Sequence, residues 1–149
     1  MAASALAFYN EFKKYMADGT LDLDGNIFRV TLHTSASNAA TLTLSVAGSI
    51  TGQIADGNGY STSGKTLSAT TWAAGASASE MRFDSTAIFW SANAGTIPNI
   101  KFALIWVSGA SAGARKLVGY WQLSTAQFTL SAGNRITITP SANGVFELN

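Results

Sequence analysis

Hydrophobic residues recur at every second position through most of this chain. In IFRVTLHT, for example, Phe28, Val30 and Leu32 alternate with polar neighbours, which predicts a strand with one apolar face. Other short segments of this kind are separated by Gly, Ser and Asn turns. They are TLTLSV, KTLSATTW, EMRFD, AIFW, IKFALIWV, KLVGYWQL, QFTL, RITIT and VFEL. About eight or nine such strands predict an antiparallel β-sandwich, jelly-roll-like, over residues 26–149.

Near the beginning of the chain the spacing changes to three or four residues. Phe8, Phe12 and Tyr15 form a stripe that Leu6, Tyr9 and Met16 widen, so the pattern predicts one short α-helix over residues 4–18. Ser4 is placed to cap it and Gly19 to end it. The stripe is interpreted as the face that docks on the β-sandwich, with a subunit contact as the alternative. Residues 1–149 are expected to form a single domain.

Several strands carry more specific expectations. IKFALIWV is apolar on both faces, as a central strand would be. SAGN between QFTL and RITIT predicts a hairpin, and SANG predicts a turn before VFEL. Trp106 and Trp121 are expected to be buried. Tyr60 and Trp72, in a loop-rich part of the chain, are expected to be exposed. In EMRFD and AIFW the residues expected to point inward are Met81, Phe83, Ile88 and Trp90.

Composition narrows the function classes. Charged residues make up only 11% of the 149 residues and the net charge is +1, which argues against a nucleic-acid partner because such proteins show a basic stripe. The longest strongly apolar run, FALIWV, has the length of a strand, so no membrane span or membrane partner is expected. The N-terminus lacks the pattern of a secretory signal. Without cysteine, thiol catalysis and cysteine zinc sites are excluded.

GYSTSGKT, residues 59–66, matches the spacing of a phosphate-binding loop. Such a loop needs a buried strand before it and a helix after it, whose N-terminus holds the phosphates. The preceding GQIADGN and the following LSATTWAAGASAS have neither pattern. The match is therefore interpreted as a surface turn in a β protein, with nucleotide binding as the alternative.

The other candidate metal and catalytic residues also lack the partners that such sites require. The acidic residues around DLDGN do not place Gly and Glu as a calcium-binding hand requires, so solvated turn carboxylates are expected. His33, the single histidine, would have to serve any Ser–His–Asp triad and is interpreted as a surface or interface side chain. A glycosidase site would need two carboxylates close together, and the sequence does not show that any two of Glu80, Asp84 and Glu147 are. We therefore expect no enzyme activity, no catalytic residue, no cofactor and no metal.

Several stretches together resemble a family of small tailed-phage virion proteins. They are YNEFKKYMADGTLDLDGNIFRVTLHTS, GNGYSTSGKTL, MRFDSTAIFW, IKFALIWV, VGYWQLS and FTLSAGNRITITPSANGVFEL. The similarity follows the order of nearly the whole chain, and its first block is the most specific. In that family the loop does not require a lysine, so Lys65 is local variation.

The resemblance implies a structural protein of the virion. A compact domain of low charge favours a capsid decoration (cement) protein on the capsid exterior, which contacts the major capsid protein and forms dimers or trimers. The alternative is a tail- or fibre-associated module that binds a receptor or a glycan. The expected contact residues lie on the helix face and in the loop-rich part: Phe8, Tyr9, Phe12, Tyr60 and Trp72.

Overall fold

An eleven-residue strand, Ile97–Val107, forms the centre of the molecule. The computed structural model describes residues 4–77, 79–109 and 112–148. Its strands and its α-helix, in chain order, are β1 (Ala7–Phe8), α1 (Asn10–Ala17), β2 (Phe28–Thr34), β3 (Lys65–Thr66), β4 (Thr71–Ala74), β5 (Met81–Asp84), β6 (Ile88–Ser91), β7 (Ile97–Val107), β8 (Leu117–Gln122), β9 (Phe128–Leu130), β10 (Arg135–Ile138) and β11 (Phe146–Leu148). Single 3-10 turns lie at Ala47–Ser49 and Ala112–Ala114.

The strands form one large sheet and two small ones, all with antiparallel pairing. The large sheet has the order β1-β8-β7-β2-β3, and β9 also pairs with β7. The small sheets have the orders β10-β6 and β11-β5-β4. β2 pairs with β7 from Phe28 opposite Val107 to His33 opposite Phe102, and the register shifts before Thr34. This long pairing fixes which side chains of both strands face each layer.

β7 is buried on both of its faces because hydrophobic side chains occupy both sets of alternating positions. Ile100, Ala103 and Ile105 belong to the main hydrophobic core. Phe102, Leu104 and Trp106 belong to a second, smaller core on the opposite face of the sheet. The prediction that IKFALIWV is a central strand with two apolar faces is confirmed.

The main core lies where side chains of the large sheet meet those of the small sheets. Phe28 of β2 and Phe83 of β5 are fully buried, and their ring centroids are 4.8 Å apart. Phe146 of β11 lies 5.2 Å from Phe83 and 5.6 Å from Phe12 of the helix. The prediction of a mainly β protein with antiparallel sheets and one short helix is confirmed, whereas a jelly-roll strand order stays a prediction.

The second core is covered by a segment that sequence alternation misassigned. TLTLSV is not a strand: it contains a turn at residues 42–43, and Val46 makes a single bridge to Lys116. Leu44, Ala47 and Ile50 pack against the second core, while Leu42 is exposed. This covering segment, residues 35–54, explains how the large sheet can be apolar on its outer face.

The helix is shorter than predicted, because it begins at Asn10 rather than near Ser4. Ala7 and Phe8 form β1 and pair with Tyr120 and Gly119 of β8. The backbone N–H of Ser4 donates to the carbonyl oxygen of Gln122, and the backbone N–H of Gln122 donates to the hydroxyl oxygen of Ser4. Non-local strand pairing thus overrides the helical spacing of the first aromatic residues. Gly19, with φ +72°, follows the end of the helix as predicted.

Two expectations about the later strands also need correction. SAGN does form a turn, in which the N–H of Asn134 donates to Ser131, but it does not close a hairpin. β9 pairs with β7 of the large sheet and β10 pairs with β6 of a small one, so the turn links two layers. Met81, expected inside, is exposed, whereas Phe83, Ile88 and Trp90 are buried as predicted.

Candidate functional site

The aromatic residues predicted on the helix face are used in the packing of the chain itself. Phe12 is buried in the main core and Tyr9 in the second core. The Tyr9 hydroxyl donates to Ala39 at 2.6 Å, and burial raises the pKa of Tyr9 above its usual range. Phe8, half-buried, stacks on Phe12 with ring centroids 5.0 Å apart. The expectation that Phe8, Tyr9 and Phe12 form an exposed contact face is therefore corrected.

The two aromatic residues expected to be exposed behave differently. Tyr60 is only 4% exposed. Its hydroxyl accepts from the N–H of Leu32 at 3.1 Å and from Gln53 Nε2 at 3.0 Å, which ties its loop to β2. The prediction of an exposed Tyr60 is thus wrong. Trp72 is half-buried and packs near Phe146, with ring centroids 6.3 Å apart.

The loop at residues 59–66 has the structure of a turn between β segments. Gly57 and Tyr60 form an isolated bridge, and Gly64 has φ +74°. Lys65 and Thr66 form β3, which pairs with β2. Residues 67–70 lead into strand β4 without a helix. The interpretation as a turn in a β protein is confirmed, and the helix N-terminus that a phosphate-binding loop requires is not formed there.

Lys65 instead contributes to an exposed cluster that we call the Phe89 surface, formed by Lys65, Phe89 and Arg135. Lys65 Nζ lies 5.1 Å from the centroid of the Phe89 ring, and Arg135 Cζ lies 4.2 Å from it. Phe89 is 41% exposed. Two cations next to an aromatic ring form cation–π contacts, which favour this arrangement of the three side chains.

The Phe89 surface is supported by paired strands and is positively charged. Phe89 and Arg135 lie on β6 and β10, where Phe89 pairs with Thr137 and Arg135 with Ser91. Among the described residues the ion pairs are Lys14–Asp18 and Arg82–Asp84, so neither Lys65 nor Arg135 is neutralised by one.

The alternation in AIFW is the sequence signal that could have identified Phe89 as an exposed residue. Ile88 and Trp90 point inward, so alternation requires Phe89 to point outward.

The His33 side chain, on β2, is buried against the covering segment, which corrects the interpretation as a surface or interface side chain. It is 3% exposed, and burial lowers its pKa from 6.5 to about 4. His33 Nε2 lies 3.0 Å from Thr31 Oγ1, and His33 Nδ1 lies 3.4 Å from the carbonyl oxygen of Thr51. The Trp106 indole N–H donates to the same Thr31 hydroxyl at 3.2 Å.

These contacts assign the protons. The Thr51 carbonyl oxygen can only accept, so His33 Nδ1 carries a proton and donates to it. Burial keeps His33 neutral, so Nε2 carries no proton and accepts from the Thr31 hydroxyl, whose oxygen accepts from the Trp106 indole N–H. Both ring nitrogens have partners, which is the arrangement of a structural histidine.

The acidic residues after the helix form hydrogen-bonded turns. Asp18 Oδ1 accepts from the N–H of Thr20 at 3.0 Å, and Asp22 Oδ1 accepts from Asp24 at 2.9 Å. Hydrogen bonds from Lys14 and Thr20 lower the pKa of Asp18. No cluster with metal-ligand geometry occurs among the residues that the structure describes. The carboxylates therefore stabilise turns, as the sequence predicted.

A hollow of about 480 Å³ beside the helix is lined in part by Trp72, Lys13 and Asp22. It combines an aromatic ring, an ammonium group and a carboxylate. These groups could stack against and hydrogen-bond a sugar ring.

No helix in the described part of the chain is long and apolar enough to cross a membrane. Comparison with known proteins finds no matching family model, no matching curated protein and no matching solved structure.

Proposed function

We propose that this chain is a virion structural protein of a tailed phage and acts as a decoration protein on the capsid exterior. The sequence resemblance described above suggests the virion. The Phe89 surface is the single structural observation that carries the adhesive role, because an exposed aromatic ring on the β6–β10 pair lies next to two cations, Arg135 of β10 and Lys65 of β3.

The composition of the Phe89 surface is that of an interface hot spot. Aromatic residues and arginine are enriched at the centres of protein interfaces, where a few side chains carry most of the binding energy. Phe89 is already oriented by Lys65 and Arg135, so little side-chain freedom remains to be lost on binding. The complementary partner surface is an apolar recess bordered by carboxylates, which we place on the major capsid protein.

Decoration stabilises a shell through many weak contacts. A copy that binds only the mature lattice shifts the equilibrium toward that lattice by mass action. If the chain also associates with itself as a dimer or trimer, each assembly engages several sites and gains avidity. The proposed partners are thus the major capsid protein and further copies of this chain.

Co-sedimentation with purified phage shells tests the proposal. The wild-type protein is expected to sediment with expanded shells and to remain in solution with unexpanded ones. Phe89→Ala and Arg135→Gln are each expected to weaken binding at least about tenfold, as hot-spot truncations do. Leu42→Ala is the matched control, because Leu42 is 37% exposed and lies in the covering segment, outside the Phe89 surface. Binding to tail tips instead of shells would reject the decoration role.

The hollow beside Trp72 supports a second candidate, a tail- or fibre-associated module that binds glycans. Trp72 would stack on a sugar, and Asp22 and Lys13 would bind its hydroxyl groups. Saturation-transfer NMR with host surface glycans would then show sugar signals that Trp72→Ala abolishes and Phe89→Ala leaves unchanged. Shell binding with no glycan signal would reject this candidate.

A further inference from the structure

We infer that a small cavity between the outer face of the large sheet and the covering segment is a binding site for a carboxylate group, with Arg115 as its anchor. The cavity has a volume of about 210 Å³. This space holds several water molecules, or a carboxylate with a short carbon chain. It is separate from the Phe89 surface, so this inference is independent of the proposed capsid role.

The walls of the cavity are of two kinds. Strands β2 and β7 supply its floor, and the covering segment and the Tyr60 loop supply its sides. The apolar part of the lining suits a carbon chain, and the polar part suits a group that makes hydrogen bonds. The lining residues are Thr31, His33, Ala47, Gly48, Ile50, Gln53, Thr62, Leu104, Trp106 and Arg115.

Arg115 is the only charged side chain among these lining residues of the described chain. Its guanidinium carbon lies 5.1 Å from the centroid of the Trp106 ring, which holds the planar group against the cavity wall. His33, the other titratable group there, is neutral because burial depresses its pKa. Among the described lining residues Arg115 is therefore the one charged group on the cavity wall, which favours an anion with a single charge.

Arg115 Nε gives the second and more specific observation. This atom is buried, and it has no hydrogen-bond partner among the described residues. A buried donor without a partner costs about 1–3 kcal/mol, so a ligand whose entry turns the guanidinium into the cavity and accepts from Nε gains a corresponding advantage. A carboxylate can accept from Nε and a terminal nitrogen of one guanidinium at once, in the bidentate geometry that arginine prefers.

The neighbouring polar groups are mostly satisfied and do not compete for this role. Gln53 uses its amide nitrogen on the Tyr60 hydroxyl and on Thr62. Thr31 bridges Trp106 and His33. Thr62 donates its N–H and its hydroxyl to Asp56. One free fork of donors beside apolar walls fits a monocarboxylate better than a phosphate dianion, which needs several donors.

The carboxylate could belong to a small molecule or to an acidic side chain of a peptide. Both present the same group to Arg115, and the choice of probe separates them. Sodium acetate and sodium propionate represent the free acid. The peptide acetyl-Gly-Glu-Gly-amide represents a glutamate side chain, and acetamide represents the neutral shape.

NMR of the arginine side-chain Nε–H groups tests the inference on the intact protein. Acetate, propionate or the glutamate peptide is expected to shift the Arg115 Nε–H signal in a saturable way, at constant ionic strength kept with sodium chloride. Acetamide should leave it unchanged. Arg115→Lys, which keeps the charge but lacks Nε, is expected to weaken binding by about tenfold, measured through the Trp106 indole N–H signal.

The control is Arg82→Gln, which removes an arginine that pairs with Asp84 far along the chain from the cavity. It should bind carboxylates as the wild type does. Saturation by acetate or propionate assigns the site to free acids, and saturation by the peptide alone assigns it to a protein partner. Either result supports the inference. It is overturned if no carboxylate gives a saturable Arg115 shift, or if Arg115→Gln, folded as judged by its Trp106 signal, shows the same Trp106 titration as the wild type.

Discussion

The indole nitrogen of Trp106 lies 3.2 Å from the hydroxyl oxygen of Thr31, across the β2–β7 pairing and beneath the covering segment. Both side chains are buried. The same hydroxyl contacts His33, so one threonine satisfies two buried nitrogen atoms. The hydroxyl group of Thr31 is thereby made compatible with burial between the large sheet and the covering segment.

Thr31→Val should destabilise the protein although the shape of the side chain is preserved. The substitution leaves the Trp106 indole N–H and His33 Nε2 without their partner, and each unsatisfied buried group carries a desolvation cost. We expect the free energy of unfolding to fall by about 2–3 kcal/mol in urea titrations. Thr137→Val on exposed β10 is the matched control and should change it by less than about 0.5 kcal/mol. Equal effects of the two variants would contradict the role of Thr31.

The neutral, buried His33 predicts a stability that depends on pH. Its pKa is lowered from 6.5 to about 4 in the folded protein, so between these values the unfolded state binds more protons. Stability is therefore complete above pH 6.5 and is lost as the pH falls toward 4. We expect a loss of about 2 kcal/mol between pH 7 and pH 5, a window above the usual pKa of carboxylates.

Urea unfolding followed at several pH values between 7 and 5 measures this loss. His33→Gln should remove it, because glutamine does not titrate. A wild-type stability that stays constant over this window would show that His33 is not kept neutral by burial.

Gly64 is predicted to be intolerant of a side chain. It has φ +74°, and a Cβ built there would lie 2.8 Å from the Val30 carbonyl oxygen and 2.9 Å from Thr31 Cγ2. Gly64→Ala therefore combines backbone strain with a clash against β2, and should cost about 2–4 kcal/mol of stability. Gly133→Ala isolates the strain, because Gly133 has φ +81° but no atom lies within 4 Å of the position that its Cβ would take. It should cost about 1 kcal/mol; similar midpoints for both variants in thermal unfolding would argue against the close approach.

Phe83 and Phe89 separate stability from recognition. Phe83 is fully buried against Phe28, so Phe83→Ala should lower the free energy of unfolding by about 3–5 kcal/mol. Phe89→Ala removes an exposed ring and its cation–π contacts, and should lower it by no more than about 1 kcal/mol. Chemical unfolding of both variants provides the measurement. A large loss in Phe89→Ala would mean that the Phe89 surface is a structural element.

Sequence alternation predicted the strands that pair over long stretches. β2, β7 and β8 are recognisable because their hydrophobic residues must fill a core on at least one face. Alternation failed at TLTLSV, since Leu44 packs on a sheet face without strand pairing and Leu42 is exposed. Nothing in a two-residue period distinguishes a strand from a covering segment of similar composition.

The predictions of the helix start and of the site residues failed for a different reason. Phe8 and Tyr9 fit a helical stripe, but pairing of Ala7 and Phe8 with β8 places them in a strand and its exit. That pairing partner lies more than a hundred positions away, beyond the reach of a local pattern. The position of Tyr60 in a loop-rich part of the chain predicts exposure, yet its hydroxyl bonds to the backbone of β2.

The pairing of β1 with β8 has a consequence for the order of folding events during synthesis. The hydroxyl of Ser4 accepts a hydrogen bond from Gln122, 118 positions later. β1 therefore cannot form its strand pairing until the ribosome has synthesised β8. Until then its apolar residues lack their native contacts with β8. A contact of such high sequence separation slows folding, so the closure of this edge is expected to be among the last steps.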